Sequence, residues 1–277
     1  MARAEPTRHP NLRDRLRPIE GRHNALVKEL RKTFAAGEPN ADGNCAVEGL
    51  HLVEEAIRSG LRFRAVFFNN SAQNLAERLL PQLGAHVETV VLPDKLFAGT
   101  VPSEAPQGVA GLVRCKSFTL EDILQKSQAG PILAIAGVQD PGNLGTILRS
   151  AEAFEAGGVL LAEGTVSPFN AKAVRASAGS VFRLPLARVK LQNAMPDIRE
   201  QGLRLVATSS HKGTPLDQAI LAGRLLIFIG NEGAGLPRDL MSKADEVVAI
   251  PHSPKVESLN AGVAASIILY EVWRQRR

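Results

Sequence analysis

The stretch from Arg224 to Trp273 reads RLLIFIGNEGAGLPRDLMSKADEVVAIPHSPKVESLNAGVAASIILYEVW, and the rest of the chain is organised around it. Its first part, Leu225 to Ile229, is a short apolar run typical of a buried strand. The run enters a glycine-rich turn, Gly230-Asn-Glu-Gly-Ala-Gly235, and a helix is predicted after Pro237. The pattern is therefore one strand-loop-helix unit.

A second strand-loop-helix unit follows directly in the same stretch. Val247 to Ile250 is predicted to be a strand, and it enters a loop rich in proline and serine. The loop ends at Ser258-Leu259-Asn260, where a final amphipathic helix is predicted to begin. Because open α/β sheets bind ligands outside the carboxyl ends of their strands, the two loops predict a ligand site.

Upstream, predicted strands and helices alternate as far back as Pro131. Residues 131–138, PILAIAGV, form a continuous apolar run, as expected of a strand that is buried on both faces of a parallel sheet. A tight turn is predicted at 139–145, and a helix after it. The further predicted elements are strand 158–162, helix 170–178, strand 181–186, helix 192–201 and strand 204–208. This alternation predicts an α/β domain over 131–277, with a parallel sheet covered by helices on both faces.

The first part of the chain predicts a smaller α/β unit at residues 19–115. Its predicted strands are 63–68, 87–92 and 108–113, with helices between and before them. Residues 1–18 are rich in Arg and Pro and are expected to form a flexible basic arm, either a solvated tail or an arm that touches RNA. Residues 116–130 are predicted to be a connecting helix and linker.

Composition bounds the class of protein and its partners. The 277 residues include 33 Lys and Arg against 28 Asp and Glu, and this mild basic surplus suits an acidic partner such as RNA. Cys45 and Cys115 form neither a metal spacing nor a disulfide framework. The apolar runs are too short to span a bilayer, and the N-terminus lacks the apolar core of a secretion signal. We expect a soluble cytoplasmic protein without a membrane or DNA partner.

Several common catalytic motifs are missing from the sequence. The chain has no G-x-x-x-x-G-K-[ST] phosphate loop, and its glycines at 230, 233 and 235 do not make G-x-G-x-x-G. It also has no G-x-S-x-G elbow and no clustered metal ligands. His211 and His252 lie near predicted strand ends, where a lone histidine usually faces solvent.

Three loop motifs remain as candidates for chemistry: Asn143-x-Gly145-x-x-x-Arg149, Gly230-Asn-Glu232-Gly-Ala-Gly235 and Ser258-Leu-Asn260. Each residue also has a purely structural interpretation. Asn143 or Ser258 could cap a helix, and Asn260 could lie in a first helical turn. Arg149 could pair with Glu152 one turn later. Glu232 could complement a helix N-terminus.

Taken together, and followed by the helix SLN-x-x-VAASIILYE, the three motifs resemble those of the TrmH (SpoU) family of RNA 2′-O-ribose methyltransferases, in the knotted SPOUT superfamily. Val47-Glu-Gly49 and Pro106-Gln-Gly-Val109 are similar to the L30e-like substrate-binding domain that precedes the catalytic domain in this family. The resemblance covers the chain from about residue 20 onward. It implies a parallel-sheet SPOUT domain with a C-terminal trefoil knot, S-adenosylmethionine as cofactor, an RNA substrate and a homodimer formed through the C-terminal domain.

The resemblance also implies which residues bind the cofactor. Gly230, Ile250 and Leu259 match positions whose backbones hold S-adenosylmethionine, and Thr208 is predicted to join them. Glycine lets a backbone approach a ligand closely, and the two apolar residues would flank the adenine. No metal ion is expected in the site.

Polar active-site positions of the family are matched by Asn143, Arg149, Glu232, Ser258 and Asn260. The family's proposed base corresponds to Arg149, yet a guanidinium is a poor proton acceptor. We therefore predict that Arg149 clamps an RNA phosphate and makes the attacking hydroxyl more acidic, with the proton passing to phosphate or water. Glu232 is expected to orient Asn143 or Arg149, and the other two residues to bind near the ribose or the methionine portion.

The favoured interpretation is a methyltransferase acting on rRNA, most simply 23S rRNA, because a recognisable N-terminal domain precedes the catalytic one. A tRNA 2′-O-methyltransferase and a non-catalytic RNA-binding or ribosome-assembly protein remain as alternatives. A dinucleotide-dependent oxidoreductase is disfavoured because the glycine fingerprint is missing. Ala261-Gly262 departs from the residues common in the family and is expected to alter only packing.

Overall fold

The computed structural model describes residues 15–277, which form two compact units that meet in sequence between Cys115 and Lys116. Both units are mixed α/β. The larger, C-terminal unit contains all three loop motifs.

The first unit is built on a five-stranded sheet with the order β1-β4-β3-β5-β2. Strands β1, β4 and β3 are parallel, whereas β5 runs antiparallel to both β3 and β2. Its core includes buried aromatic and branched side chains such as Phe67, Phe97 and Leu112. Its elements are β1 (Arg17–Pro18), α1 (Ala25–Ala36), β2 (Asn44–Glu48), α2 (Leu50–Arg58), β3 (Phe63–Asn69), α3 (Gln73–Leu79), β4 (Glu88–Leu92), α4 (Asp94–Ala98) and β5 (Val109–Arg114).

The flexible arm predicted at residues 1–18 lies mostly outside the described residues. Its last part, Arg15 to Pro18, instead belongs to the first unit. The Arg15 guanidinium donates hydrogen bonds to the carbonyls of Leu80, Leu83 and Gly84, and β1 pairs with β4. These backbone partners were not visible in a pattern of Arg and Pro alone.

The second unit is a seven-stranded sheet with the order β10-β12-β9-β11-β6-β7-β8, and every pairing is parallel. The predicted parallel sheet is thus confirmed. Strands β6 to β8 run outward in sequence, and β11 lies on the other side of β6, so the order reverses there. The elements are α5 (Leu120–Leu124), β6 (Ile132–Ile135), α6 (Pro141–Ala153), β7 (Gly158–Ala162), α7 (Ala171–Ala176), β8 (Leu186–Val189), α8 (Leu191–Glu200), β9 (Arg204–Ser209), β10 (Thr214–Pro215), β11 (Leu225–Ile229), α9 (Arg238–Met241), β12 (Glu246–Ala249) and α10 (Ala261–Gln275).

Two predicted elements of the second unit are wrong. Residues 141–145 of the predicted turn are instead the first part of α6, because Asp140 caps the helix and Pro141 occupies its first position, where a missing N–H costs nothing. The strand predicted at 181–186 is replaced by a 3-10 turn, Ser180–Phe182, and β8 begins only at Leu186. The apolar pair Val181 and Phe182 is buried, but in a turn that follows the left-handed Gly179.

The linker predicted at 116–130 is also part of the second unit. Residues Leu120–Leu124 form α5, and Gln125–Gln128 form a 3-10 turn. Ile123 and Leu124 are buried in the same core as strands β6, β7 and β9. Burial of these two large apolar side chains stabilises the segment against the sheet. A free linker would instead remain exposed to solvent.

Close helix packing places the first loop motif. A Cβ at Gly145 of α6 would lie 2.5 Å from the Ala173 carbonyl oxygen and from Ala176 Cβ, so only glycine lets α6 approach α7. A Cβ at Gly262 of α10 would lie 3.1 Å from Thr146 Cβ, also in α6. The expected packing role of Gly262 is therefore a close approach between α10 and α6.

Candidate active site

The glycine turn after β11 is a closed loop that one side chain holds in place. The backbone N–H groups of Asn231 and Gly235 donate to each other's carbonyls at 3.0 Å. The Asn231 amide donates to the Gly137 carbonyl at 2.7 Å, and its Oδ1 accepts from the N–H groups of Gly233 and Ala234. A Cβ at Gly230 would lie 2.4 Å from the Gly235 carbonyl carbon. The turn is therefore rigid and requires glycine at 230.

This turn forms one wall of a cleft of about 430 Å³ at the carboxyl ends of β9, β11 and β12. The lining combines apolar side chains with loop backbone. All four residues predicted to bind the cofactor, Thr208, Gly230, Ile250 and Leu259, contribute to it. The Thr208 hydroxyl donates to the Phe228 carbonyl at 2.9 Å and so ties β9 to β11 at the cleft. The structure thus brings these four positions to one cavity.

A chain of side-chain hydrogen bonds joins the three loop motifs. The Asn143 amide donates to Glu232 Oε1 at 2.8 Å, and the Asn260 amide donates to Asn143 Oδ1 at 2.8 Å. The expected contact of Glu232 with Asn143 is present. Each amide is oriented by its partner, because nitrogen and oxygen have opposite hydrogen-bonding roles. The network fixes three polar groups beside the cleft.

The helix caps show which of the capping roles considered for the motif residues occur. Asp140, not Asn143, caps α6, since Asp140 Oδ1 accepts from the Asn143 N–H at 2.8 Å. A hydrogen bond from Lys172, together with the Asn143 N–H, lowers the pKa of Asp140. Asn260, rather than Ser258, caps α10 by accepting from the Val263 N–H at 3.2 Å. Asn143 is thereby left with its amide directed to the network.

Arg149 is not brought into this network. It lies six residues after Asn143 in α6, about 9 Å along the helix axis, and does not line the cleft. Its side chain is exposed and makes no hydrogen bond or ion pair with any residue between 15 and 277. The pairing considered for Arg149 and Glu152 does not occur, because Glu152 accepts from Arg183. Arg149 therefore offers a free positive charge near the site.

Ser258 is exposed on the loop that closes the cleft. Among the described residues its hydroxyl has no hydrogen-bond partner, so it is free to bind a ligand. Of the five residues predicted for catalysis, Ser258 and Glu232 line the cavity itself.

The sequence alone did not indicate that the two histidines near predicted strand ends share one cavity. His211 and His252 both line the cleft, with ring centroids 6.3 Å apart. His252 Nδ1 lies 2.7 Å from the Ile250 carbonyl oxygen. Their positions just after β9 and β12 were the available signal, because strand ends in a parallel sheet share one edge. Across residues 15–277 no group of His, Cys, Asp and Glu is arranged to bind a metal ion.

Asn231 was also missed as an organising residue. It was noted only as part of the glycine turn, yet its side chain makes three of the hydrogen bonds that shape the turn. An asparagine followed closely by glycines is a usual signature of such self-bonded turns.

The second unit combines a parallel sheet, a glycine-turn cleft and an adjoining amide and carboxylate network, and comparison with known families identifies the class of protein. Residues 130–270 match the SpoU rRNA Methylase family, and residues 24–111 match an MRM3-like substrate binding domain. The chain belongs to the SpoU rRNA methylase family. It is an RNA 2′-O-ribose methyltransferase, a class that uses S-adenosylmethionine.

Two relatives are similar in sequence to this chain over nearly its whole length. A 23S rRNA (guanosine(2553)-2′-O)-methyltransferase of Bacillus subtilis, RlmP, is 30% identical over 93% of this chain and 99% of its own length. An uncharacterised tRNA/rRNA methyltransferase of Synechocystis is 32% identical over 93% and 94%.

Solved structures of the same kind share the fold. An AdoMet-bound rRNA methyltransferase of Sinorhizobium meliloti superimposes with a TM-score of 0.81 at 29% identity, over 94% of this chain and 98% of that one. The SpoU methyltransferase AviRb of Streptomyces viridochromogenes, in complex with AdoMet, gives 0.79 at 28% identity, over 91% and 98%.

Proposed function

We propose that this protein transfers a methyl group from S-adenosylmethionine to the ribose 2′-hydroxyl of a guanosine in 23S rRNA. The observation that supports it best is the hydrogen-bonded network of Asn143, Glu232 and Asn260 beside the glycine-turn cleft. The substrate is inferred from the similarity to RlmP, which spans nearly the full length of both chains.

The cleft residues fit the cofactor. Backbone groups of the turn at Gly230 and of the loop around Leu259 can read the adenine and ribose edges. Apolar side chains of Leu236, Ile250 and Ile268 line the same cavity and would contact the adenine faces. Glu232 and Glu257 place carboxylates at the cavity, where they favour a sulfonium cation.

The chemistry needs positioning more than activation. When bound, S-adenosylmethionine supplies an electrophilic methyl group with a good leaving group. The network orients the Asn143 and Asn260 amides, which would position the ribose for attack by its 2′-hydroxyl. Arg149, free of protein partners, binds the adjacent phosphate, and its charge makes the 2′-hydroxyl more acidic. The hydroxyl proton leaves to phosphate or water.

Replacement of RlmP in its own host tests the proposal. In a Bacillus subtilis strain that lacks RlmP, expression of this chain should restore ribose methylation at guanosine 2553. The matched control is the Arg149→Ala variant, expressed at the same level, which should not restore it. Methylation of tRNA instead of rRNA, or of another nucleotide, would reject the substrate. Absence of any methylation, together with no S-adenosylmethionine binding in a thermal-shift assay, would favour a non-catalytic RNA-binding protein.

The first unit is proposed to grip the folded RNA as an L30e-like domain. Its match to a substrate-binding domain supports this role, as does its mixed five-stranded sheet. An enzyme with this substrate is proposed to work in the cytoplasm. None of the described helices has the length and apolar character needed to cross a bilayer.

We propose that the C-terminal segment forms a trefoil knot. The contact of the last helix with the segment before β11 supports this topology. The Gln275 amide donates to the Ala219 carbonyl, and its oxygen accepts from the Leu221 N–H. An experimental structure traced continuously from β9 to the C-terminus would test the threading.

A homodimer is proposed to form through α10. Val263, Ile267 and Tyr270 lie at spacings of four and three residues on one face of this helix, with 48%, 37% and 48% of their surfaces exposed. A stripe of large apolar side chains in contact with water favours association with a second copy.

A further inference from the structure

A second cavity lies beside the cofactor cleft, on the other side of the glycine turn. Its volume is about 650 Å³, and Asn231, Ala234 and Gly235 line both cavities. It is formed at the carboxyl ends of β6, β7 and β8. None of the residues assigned to cofactor or catalysis lines it, so its function is not explained by the chemistry described above.

The floor of this second cavity is apolar and its rim is polar. Ala136, Ala162, Leu191 and Leu240 are buried and form the floor. Gly137 and Gly164 approach each other there, with positive φ angles of 79° and 80°, and leave the space above the backbone open. An apolar floor with polar groups around it suits an aromatic heterocycle.

Two charged side chains define the hydrogen-bonding character of the rim. Glu163 and Lys190 line the cavity with their charged groups 3.8 Å apart, and both side chains are largely exposed. An exposed pair at this distance is worth little by itself and is free to exchange its partner for a ligand. Together they offer two acceptor oxygens beside a strong donor.

A third rim group is fixed in orientation. The Gln192 amide nitrogen donates to Asp239 Oδ2 at 3.0 Å, so its carbonyl oxygen remains as an acceptor. These three side chains therefore offer acceptor oxygens from Glu163 and Gln192 beside the Lys190 donor. Among the RNA bases, guanine is the one whose Watson–Crick edge places two neighbouring donors, N1–H and N2–H₂, next to one acceptor, O6.

We propose that this cavity binds the guanine base of the target nucleotide and reads its Watson–Crick edge. Glu163 accepts from N1–H and N2–H₂, and Lys190 donates to O6. The base lies on the apolar floor, turned out of its RNA stack as single-stranded bases are when proteins read them. This inference rests on the proposed methyl transfer to guanosine, and it gives the specificity of that reaction a structural cause.

Inosine provides the test, because it lacks the 2-amino group of guanine and is otherwise closely similar. Two RNA transcripts would be compared, one containing the mapped site with guanosine and one with inosine at the target position. Wild-type protein should methylate the guanosine RNA with a kcat/KM about tenfold or more above that for inosine. Glu163→Gln should lose about the same factor on guanosine RNA and should hardly distinguish the two RNAs.

A control variant and a cofactor-binding measurement separate a loss of base specificity from a general loss of activity. Glu200→Gln removes an exposed carboxylate from α8 away from the cavity and should behave as wild type. The Kd for S-adenosylmethionine, measured by calorimetry, should be unchanged in both variants. Lys190→Met should lower kcat/KM while retaining the preference for guanosine over inosine.

The outcomes distinguish failure of the base pocket from failure of the proposed methyl transfer. A wild-type enzyme that methylates both RNAs equally, or a Glu163→Gln variant that keeps the full preference, would overturn the guanine pocket and leave the methyl transfer intact. A mapped target other than guanosine would do the same. If wild-type protein methylates neither RNA, the proposed function fails, and the base pocket fails with it.

Discussion

Arg149 carries a charge that no described residue neutralises, on the exposed side of a helix that is otherwise packed between α7 and α10. A charged side chain without a protein partner can bind an anion. The anion nearest a ribose 2′-hydroxyl is the phosphate of the same nucleotide. The side chain lies away from the cofactor cleft. Its loss should therefore affect the RNA and the chemical step rather than cofactor binding.

We expect Arg149→Ala to lower methyl transfer by about 100-fold or more, the effect typical of losing one charge-stabilising donor. Transfer of tritiated methyl groups to rRNA would measure the rate, and calorimetry would show an unchanged Kd for S-adenosylmethionine. Arg175→Ala in α7, also an exposed arginine, is the control and should retain activity. Loss of cofactor binding in Arg149→Ala would show that the residue supports the cleft instead.

Glu232 allows charge and geometry to be separated. Glu232→Gln keeps an oxygen that can accept from the Asn143 amide, whereas Glu232→Ala removes the partner altogether. If Glu232 acts by orienting Asn143, the glutamine variant should lose only a few-fold in kcat, and the alanine variant about 100-fold. Equal losses in both would mean that the negative charge itself is required. The ratio of the two kcat values, at saturating cofactor, decides between these roles.

The motif residues could be chosen from sequence, but their partners could not. Asn143 and Asn260 are separated by 117 positions, and only the folded chain places their amides 2.8 Å apart. Capping was ambiguous for a related reason. Asp140 and Asn143, like Ser258 and Asn260, are polar residues a few positions apart, and each could have capped the same helix.

At the scale of secondary structure, the cap of α6 links stability to the site. Asp140→Ala should destabilise the protein by about 1 kcal/mol, because the Asn143 N–H loses its acceptor. Asp140→Asn keeps an acceptor and loses only the exposed ion pair with Lys172, so its cost should be a few tenths of a kcal/mol. Urea unfolding at pH 7 would measure both. Asp197→Ala, which removes an exposed carboxylate from α8, is the control.

The same cap predicts a pH dependence. The Lys172 hydrogen bond and the Asn143 N–H hold the pKa of Asp140 below its ordinary value. Its contribution is thus fully present above about pH 4, the range of an unfolded aspartate, and is lost as pH falls through the lower folded pKa. The stability difference between wild type and Asp140→Asn should shrink in that acidic range. A difference that stays constant down to pH 2 would show that the charge contributes nothing.

Elements were predictable where apolar patterns were long and repeated. Strand 158–162 and the alternation around it follow from continuous buried runs, which parallel strands require. Prediction failed where an apolar pair was short. Val181 and Phe182 are buried in a 3-10 turn, and a two-residue apolar signal does not distinguish that turn from a strand.

For the whole molecule, alternation of strands and helices predicted that the second sheet is parallel, but not the order of its strands. That order is set by which strands pack beside β6, and β11 lies next to it although more than eighty residues separate them in sequence. The cofactor cleft depends on the pairing of β11 with β6, because the Asn231 amide after β11 donates to the Gly137 carbonyl after β6. Long-range pairing, rather than local pattern, therefore builds the site.

Association of two copies is the remaining property of the whole molecule that the exposed face of α10 predicts. One member of this face is held in place, since Tyr270 packs edge-on against Phe154 with ring centroids 5.8 Å apart. Rigid aromatic and branched side chains lose little entropy when a partner covers them. A second copy that brings the same stripe would bury Val263, Ile267 and Tyr270 from both chains around a two-fold axis.

A charge placed in that face should separate the copies. Wild-type protein is expected to sediment with about twice the chain mass of 29.6 kDa, and Ile267→Asp with the single mass, because an aspartate buried at a symmetric contact meets its own copy. Ile220→Asp changes a side chain that is 70% exposed outside α10 and should leave the mass doubled. A wild-type mass of one chain would refute the dimer. A doubled mass in both variants would place the interface on another surface, and Ile267→Asp would then retain full methyl transfer.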